Sequence, residues 1–599
     1  MTSLLIYNNN LPDVLVELFS NKLNLTTPKS KAIQDTFNID LHFHEQIEQT
    51  LKDKYDIIFI TYNLSEENYL ELAGLRVGLH IRLTKLWKHY LCPIVFIGSE
   101  SIYEINKLSV YGNLLFTPGI YSITQDLVTT TFSDITKERN NLITPIQYEI
   151  FLQRIIIHPP TNYASHHSMA NEWSIVRWAE LLKINDTEID NTKKNLQASL
   201  FYKYLSVKQG KLMSELPAEV NLTNKGKILY IDDEIAKGWG NIFNKIVPTG
   251  LRSIGQNFKF IDAEEIISKS ISEVASYNPD VVILDLRLTD SDFGPLQSPQ
   301  NLTGYKLLEK IKDHNRGIQV IIFSATNKIW NLLALQDKGA NGFIIKEDPF
   351  MDTDANLTLE SLKNVYKEIK VGLKMSFLKA IYEKILHVHS ILIKQYTLSD
   401  KKDFANRALI NLEISFSLFD NIRKNEKYSN YGYLQLFQII EDFSNIKDVF
   451  EYNGNSCLVR CFGNTVEILR ITDNNTKPWT CDTCITISQK NKVYSLKKES
   501  AYRQTLDTYF KVSSLLIFRY GFSTNNNIGW PAINKIRNEI AHGDTGTIVS
   551  NLHIAQCLDF IIYILQDENQ KNNNISNGLS TTTSVEKLTA LKNKFNSKK

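Results

Sequence analysis

Val281-Val282-Ile283-Leu284-Asp285 is four apolar residues ending in a carboxylate. An uninterrupted apolar run of this length reads as a strand buried on both faces, the kind used by parallel α/β sheets. Working outward, Lys227–Ile231 is mainly apolar and ends in Asp232-Asp233. Val320–Phe323 ends in Ser324-Ala325, and Phe343–Ile345 ends in Lys346. Amphipathic helical stretches fill the gaps, as a parallel sheet requires. In a doubly wound sheet, residues just past the carboxyl ends of the strands meet in one crevice. Three carboxylates, a hydroxyl and a lysine converge there on this reading. Such carboxylates can hold Mg²⁺, which prefers oxygen ligands. The metal and Lys346 would neutralise an incoming phosphoryl group, so that a carboxylate could attack it.

This ordered set resembles the receiver domain of two-component response regulators. The resemblance implies that Asp285 is phosphorylated and that Asp232 and Asp233, with Asp285, bind Mg²⁺. It also implies that Ser324 reads the phosphoryl group, Lys346 pairs with it, and Phe343 is an aromatic rotamer switch. The implied partner is a sensor histidine kinase or phosphotransfer protein. One departure is the long stretch Thr289–Thr303 after the phosphoacceptor strand. The competing reading is an ordinary flavodoxin-like domain whose strand-end polar groups are caps, and five features in order argue against it.

Residues 1–125 can be laid beside this domain, which spans 223–351. Ser3–Tyr7 followed by Asn8-Asn9 matches the strand before Asp232-Asp233, and Asp56–Ile60 followed by Thr61 matches the strand before Asp285. Ile94–Ile97 leads to Gly98 where the other copy has Ser324. Leu114–Phe116 leads to Thr117 where it has Lys346. Every position that would carry the chemistry is neutral. The expectation is a degenerate receiver fold that serves docking or dimerisation; the alternative is an unrelated α/β domain.

The remaining regions are a helical connector at 126–222, a helical domain at 352–570 with a small β insertion at about 455–498, and a tail at 571–599. The tail is rich in Asn, Ser, Thr and Lys and reads as disordered. A chain of 599 residues exceeds what one core supports. Its net charge of +2 gives no bulk reason for binding nucleic acid or a membrane. No apolar run approaches the ~20 residues needed to span a bilayer, and Leu4–Tyr7 is too short for a signal-peptide core. Six cysteines do not make a disulfide scaffold at this length. A cytoplasmic protein is the expectation.

In the helical domain, Ile536-Arg537-Asn538-Glu539-Ile540-Ala541-His542-Gly543 carries the signal. Ile533, Ile536 and Ile540 fall on one helical stripe, and Gly543 is placed to end the helix. Arg537 and His542 lie five apart near that end. The string resembles the Arg-x4-His motif of the HEPN superfamily, all-helical dimerising domains of which many are metal-independent ribonucleases. The resemblance implies a homodimer with a composite site for RNA. There His542 would be general acid or base, Arg537 would stabilise phosphorane charge, and Asn538 would orient them. Capping of the helix end by the two cationic residues is the other reading. Lys490, Lys492, Lys497, Lys498 and Arg503 could track phosphates, or form a solvated face.

Two further clusters are weaker. Cys457, Cys461, Cys481 and Cys484 fall within 28 residues, but the first pair lacks the usual zinc spacing, so separate thiols are preferred to a zinc site. His166-His167, ahead of an amphipathic helix at Trp173–Leu182, read as a surface turn rather than a phosphotransfer site. The whole is read as two flavodoxin-like α/β receiver folds, the first degenerate, joined by helices to an all-α HEPN-like effector. A toxic ribonuclease under phosphorylation control resembles the effectors of Detocs-type phage-defence systems. A non-enzymatic adaptor or a phosphoryl sink is the rival.

Overall fold

The computed structural model describes residues 2–8, 16–27, 36–65, 69–124, 142–159, 163–209, 222, 226–293, 298–324, 329–347, 357–397, 401–446, 450–453, 456–461, 464–470, 487–489, 492–494, 508–516, 529–542 and 546–566. The tail at 571–599 lies outside them, as do Gly543, Cys481, Cys484 and, from the basic run, Lys490, Lys497, Lys498 and Arg503. Two compact units form, residues 1–310 with 320–372 and residues 311–319 with 373–599.

The first unit holds two five-stranded sheets. One contains β1 (Ser3–Tyr7), β2 (Asn21–Asn24), β3 (Ile57–Thr61), β4 (Ile94–Gly98) and β5 (Ile120–Thr124), in the order β2-β1-β3-β4-β5. The other contains β6 (Ile228–Ile231), β7 (Leu251–Ile254), β8 (Val281–Leu284), β9 (Gln319–Ser324) and β10 (Gly342–Ile345), in the order β7-β6-β8-β9-β10. The two orders are the same topology. Strands β3, β6, β8 and β9 are buried at every residue, which is why their sequences do not alternate.

One sequence expectation fails here. Leu114–Phe116 is not a strand but part of a 3₁₀ turn over Gly112–Phe116, and the fifth strand is Ile120–Thr124. A three-residue apolar run cannot distinguish strand from helix by periodicity. Leu114 and Leu115 are buried from this turn, and Thr117 closes it by donating its hydroxyl to the Leu114 carbonyl at 2.6 Å.

The helices around the sheets are α1 (Thr36–Thr50), α2 (Ala73–Leu83), α3 (Ile102–Leu108), α4 (Pro145–Arg154), α5 (Tyr163–Leu182), α6 (Thr187–Ala198), α7 (Leu200–Gln209), α8 (Trp239–Ile246), α9 (Ala263–Tyr277), α10 (Thr303–His314), α11 (Ile329–Asp337) and α12 (Leu357–Met375). His166 and His167 therefore stand inside α5 rather than in a turn before it. The connector is not a free linker. Trp173, Val176, Leu196 and Leu200 share one core with Phe43, Ile60, Leu75 and Phe96 of the first sheet's layer. Each such buried side chain contributes roughly 1.5–3 kcal/mol.

A pair of glycines repeats between the sheets. A Cβ on Gly74, in α2, would stand 2.0 Å from the Thr61 carbonyl oxygen, and one on Gly304, in α10, 2.2 Å from that of Asp285. The Gly74 N–H donates to Tyr62 and the Gly304 N–H to Leu286, at 2.9 and 3.0 Å. Only glycine lets each helix start this close to the end of its strand. The match equates Thr61 with Asp285 independently of sequence alignment.

The second unit holds α13 (Phe377–Gln395), α14 (Lys402–Asp420), α15 (Tyr428–Ser444), α16 (Thr508–Ser514), α17 (Trp530–Ala541) and α18 (Asn551–Leu565), with a β-rich insertion between α15 and α16. Its strands are β11 (Phe450–Asn453), β12 (Ser456–Cys461) and β13 (Asn464–Arg470), with a hairpin of β14 (Ile487–Gln489) and β15 (Lys492–Tyr494). Cys457 pairs with Leu469 and Cys461 with Asn464 across the ladder. The helical core centres on Trp530, stacked on Phe437 at 5.7 Å, Phe560 at 5.3 Å and Tyr509 at 6.0 Å. Among the described residues no helix is long and apolar enough to cross a membrane.

Candidate phosphoacceptor site

Strands β6 and β8 pair with Ile231 opposite Leu284. The next residue of each, Asp232 and Asp285, therefore leaves the sheet beside the other. Lys346 follows β10 and reaches across to both, with Nζ 2.6 Å from Asp285 Oδ2 and 3.2 Å from Asp232 Oδ2. Asp232, Asp285 and Lys346 are all buried. One carboxylate oxygen from each of Asp232, Asp233 and Asp285 lies within 4.8 Å of the others, the only such acidic or His/Cys group among the described residues. Ser324 is buried at the end of β9, opposite Ile345, and its carbonyl accepts the Lys346 N–H at 2.9 Å. Phe343 is half-buried on β10, with its carbonyl bonded to Asn364 Nδ2 at 3.1 Å.

The carboxylates are held from several sides. Tyr230 donates its hydroxyl to Asp232 Oδ2 at 2.7 Å, and the Glu234 N–H donates to Asp232 Oδ1 at 2.7 Å. The Leu286 N–H donates to Asp285 Oδ1 at 2.6 Å. Lys346 also lies over the Phe323 ring at 4.7 Å and the Trp239 ring at 5.5 Å, contacts that favour a cation. Burial pushes Asp285 above the ordinary carboxylate range; Lys346 pulls it back and Asp232 adds to the rise. Burial likewise raises Asp233, reinforced by Asp232, Glu234 and Asp285. For Lys346, burial alone disfavours the charge, but Asp232 and Asp285 outweigh it and hold the ammonium charged. Three crowded carboxylates served by one lysine are the donor set a hard divalent cation relieves, so these residues fit Mg²⁺.

The stretch after β8 is stapled by a buried carboxylate that sequence reading missed. Asp292 accepts the N–H groups of Leu288 at 2.9 Å and Thr303 at 3.0 Å, and the Thr303 hydroxyl at 3.0 Å. It fixes the start of α10 beside Asp285. A second missed residue is Glu347, next to Lys346. It accepts from Trp178 Nε1 at 2.8 Å and Thr358 Oγ1 at 2.9 Å, and its carbonyl accepts from Ser174 at 3.0 Å. Trp178 in turn packs on Trp239 at 5.2 Å and Phe323 at 5.9 Å. Helix α5 thereby touches both the lysine loop and the strand ending in Ser324.

The equivalent positions of the first sheet carry neutral residues. There Ile6 pairs with Ile60 as Ile231 pairs with Leu284. The register equates Tyr7 and Asn8 with Asp232 and Asp233, one residue earlier than the alignment of Asn8-Asn9. Gly98 pairs with Thr124, so the lysine counterpart is Gln125 rather than Thr117; Gln125 lies outside the described residues.

Residues 13–123 match the family model of the inactive receiver domain. The match begins after β1 and runs from β2 into β5, so this region of the chain, and this region alone, is similar to an inactive receiver domain. No curated protein matches the chain. Among solved structures, the receiver domain of NtrX from Brucella abortus is similar at 19% identity over 24% of this chain and 98% of its own, with a TM-score of 0.16. A LuxR-family two-component response regulator from Aurantimonas sp. SI85-9A1 is similar at 17% identity over 24% of this chain and 86% of its own, with a TM-score of 0.17.

In the second unit, α17 ends at Ala541 with His542 as its C-cap, exposed, its N–H donating to the Asn538 carbonyl at 2.9 Å. Arg537 reaches Asn538 Oδ1 at 3.1 Å and Glu441 Oε1 at 3.1 Å, and lies over the Phe437 ring at 5.4 Å. Arg537 and Asn538 are thus together, while His542 joins them through its backbone. Of the expected apolar stripe, Ile533 is buried but Ile536 and Ile540 are only half-covered within one chain. Glu441 lies 96 residues from Arg537 in sequence, and nothing local to the motif points to it.

Proposed function

We propose that the chain is a response regulator in which a histidine kinase or phosphotransfer protein phosphorylates Asp285. The convergence of Asp232, Asp233, Asp285 and Lys346 at the strand ends carries this reading. In the transfer, an Asp285 oxygen attacks the phosphorus of a phosphohistidine. The P–N bond breaks, an acyl phosphate forms, and the released imidazole nitrogen takes up a proton. Lys346 neutralises phosphoryl charge and Ser324 donates its hydroxyl to a phosphoryl oxygen. Mg²⁺ held by Asp232, Asp233 and Asp285 would supply further charge neutralisation.

The output we assign to the helical unit is a dimeric, metal-independent ribonuclease of the HEPN type. Phosphorylation shifts the population toward a dimer in which two Arg537/His542 pairs form one site. One His542 takes the proton of a ribose 2′-hydroxyl, whose oxygen attacks the adjacent phosphorus. The 5′ oxygen leaves with a proton from the second His542, and a 2′,3′-cyclic phosphate remains. Half-covered Ile536 and Ile540 support a partner on this helix face. Such an output suits antiviral defence of the Detocs type. The Arg537–Glu441 ion pair favours a second reading, in which α17 is structural and the chain is an adaptor or phosphoryl sink.

RNA incubated with the wild-type chain and with His542→Ala, each with and without acetyl phosphate and Mg²⁺, separates the two. Cleavage by phosphorylated wild type alone supports the ribonuclease. No cleavage, or equal cleavage by the variant, removes it and leaves the adaptor.

A further inference from the structure

A cavity of about 950 Å³ opens between the helices of the first sheet and the connector, far in sequence from the phosphoacceptor aspartate. Its wall is cationic: Lys52, Lys85, Lys183, Arg177 and Lys203 against Glu48 and Glu180. Glu180 is paired with Lys193 at 3.3 Å, and Glu48 faces the neutral His44 imidazole at 3.8 Å. Two residues of the wall carry a buried hydrogen-bond donor with no partner among the described residues, Trp173 Nε1 and Arg177 Nε. Arg177 is 6% exposed and Trp173 1%.

Lys203 sharpens the chemistry. It is buried, with Nζ 3.0 Å from His44 Nδ1 and 3.0 Å from His80 Nδ1, and 4.8 Å over the Trp87 ring. Its neighbours on these contacts are imidazoles and a ring rather than a carboxylate. Burial lowers its pKa to about 7, with Asp40 and Glu48 acting the other way. An anion beside it would restore full charge. The volume sits at the upper end of small-molecule sites, ~300–1,000 Å³, and far exceeds a bare phosphate. Trp87, Trp173 and Tyr202 add apolar wall for an organic moiety.

We propose that this cavity binds an organic phosphate the size of a nucleotide, its phosphate oxygens meeting Arg177 and Lys203 and its organic part the aromatic wall. The cavity then gives the inactive receiver a ligand where it has lost its phosphoacceptor. Helix α5 carries Trp173 and Arg177 to this site and Ser174 and Trp178 to Glu347.

Calorimetric titration of the full chain with ATP and with pyrophosphate, in EDTA so that the aspartate cluster holds no metal, tests it. Saturable ATP binding at one site per chain is expected, tighter than pyrophosphate. Lys203→Met should weaken it at least tenfold, since methionine fills the buried volume without the charge, and Lys85→Glu severalfold from the exposed rim. Lys269→Glu, remote from the wall, should leave it unchanged, and melting curves check that each variant folds. No saturable ATP binding up to about 1 mM, pyrophosphate binding as tightly as ATP, or unchanged binding in both wall variants overturns the proposal.

Discussion

The two sheets of the first unit share strand order, register and a glycine at the same helix start, and differ in where they bury charge. In the second sheet charge sits at the strand ends, as Asp232, Asp285 and Lys346. In the first, the strand ends are Tyr7, Asn8 and Thr61, and the buried charge lies among the helices. There Asp40 accepts from Arg76 Nε at 2.7 Å, His80 Nε2 at 2.8 Å and the Leu200 N–H at 2.9 Å. Lys203 donating to His80 Nδ1 fixes the tautomer that places the His80 proton toward Asp40. The same strand order and register thus carry two different placements of buried charge. One copy keeps polar groups where a phosphoryl group can reach, and the other spends them on joining the sheet layer to the connector.

The largest expected effect separates the copies directly. Asp285→Asn should lose acetyl-phosphate-driven phosphorylation to background, at least a hundredfold, on phosphate-affinity gels. Thr61→Ala should leave it at the wild-type level. Incorporation that survives Asp285→Asn, or falls with Thr61→Ala, would break the assignment of chemistry to the second sheet alone.

A smaller effect tests the shared frame. In both Gly74→Ala and Gly304→Ala the new methyl meets a backbone carbonyl rather than a movable side chain. Each should cost about 1–3 kcal/mol in chemical denaturation. Only Gly304→Ala should also slow phosphorylation, because the displaced carbonyl belongs to Asp285. A Gly74→Ala chain as stable as wild type would show that the two helix starts are not equivalent.

How legible this was follows the range of the signal. Asp285, Asp232 and Lys346 were readable because each sits one residue past an apolar run, and the sheet does the rest. Ile120–Thr124 was missed because Leu114–Phe116 offered a denser apolar run that folds as a 3₁₀ turn. The network of Asp40, Arg76, His80 and Lys203 left no local trace, since Asp40 and its Leu200 partner are 160 residues apart. Glu441 was hidden for the same reason. Glu347 stood beside a recognised lysine, but its partners come from α5 and α12, whose positions only the fold supplies.

The smallest effect opposes the two regions in sign. Burial lowers His80 to a pKa of about 3, with Lys203 adding to the fall and Asp40 opposing it; burial also lowers His44, to about 4, again with Lys203. Both folded values lie below the ordinary histidine value of about 6.5. The unfolded chain therefore binds more protons, and the contribution of the two histidines is complete above about pH 6.5 and lost as pH falls toward the folded values. Asp40 acts in the same sense lower down: Arg76 and His80 outweigh its burial and hold its pKa below the ordinary range. Lys203, also depressed, adds stability as pH rises. Around the second site the sign reverses. Asp233 and Asp285 are raised, so the folded state binds the extra protons, and their contribution is full below about pH 4 and lost as pH rises through the folded values. Between pH 5 and 8, hydrogen exchange corrected for intrinsic rate should show α1 and α2 gaining protection and β6 and β8 losing it, each by about 1 kcal/mol. Mg²⁺ should restore the second loss and leave the first region unchanged, and in Asp285→Asn it should restore nothing. Parallel trends in the two regions would mean that the carboxylate cluster does not titrate apart from the rest of the unit.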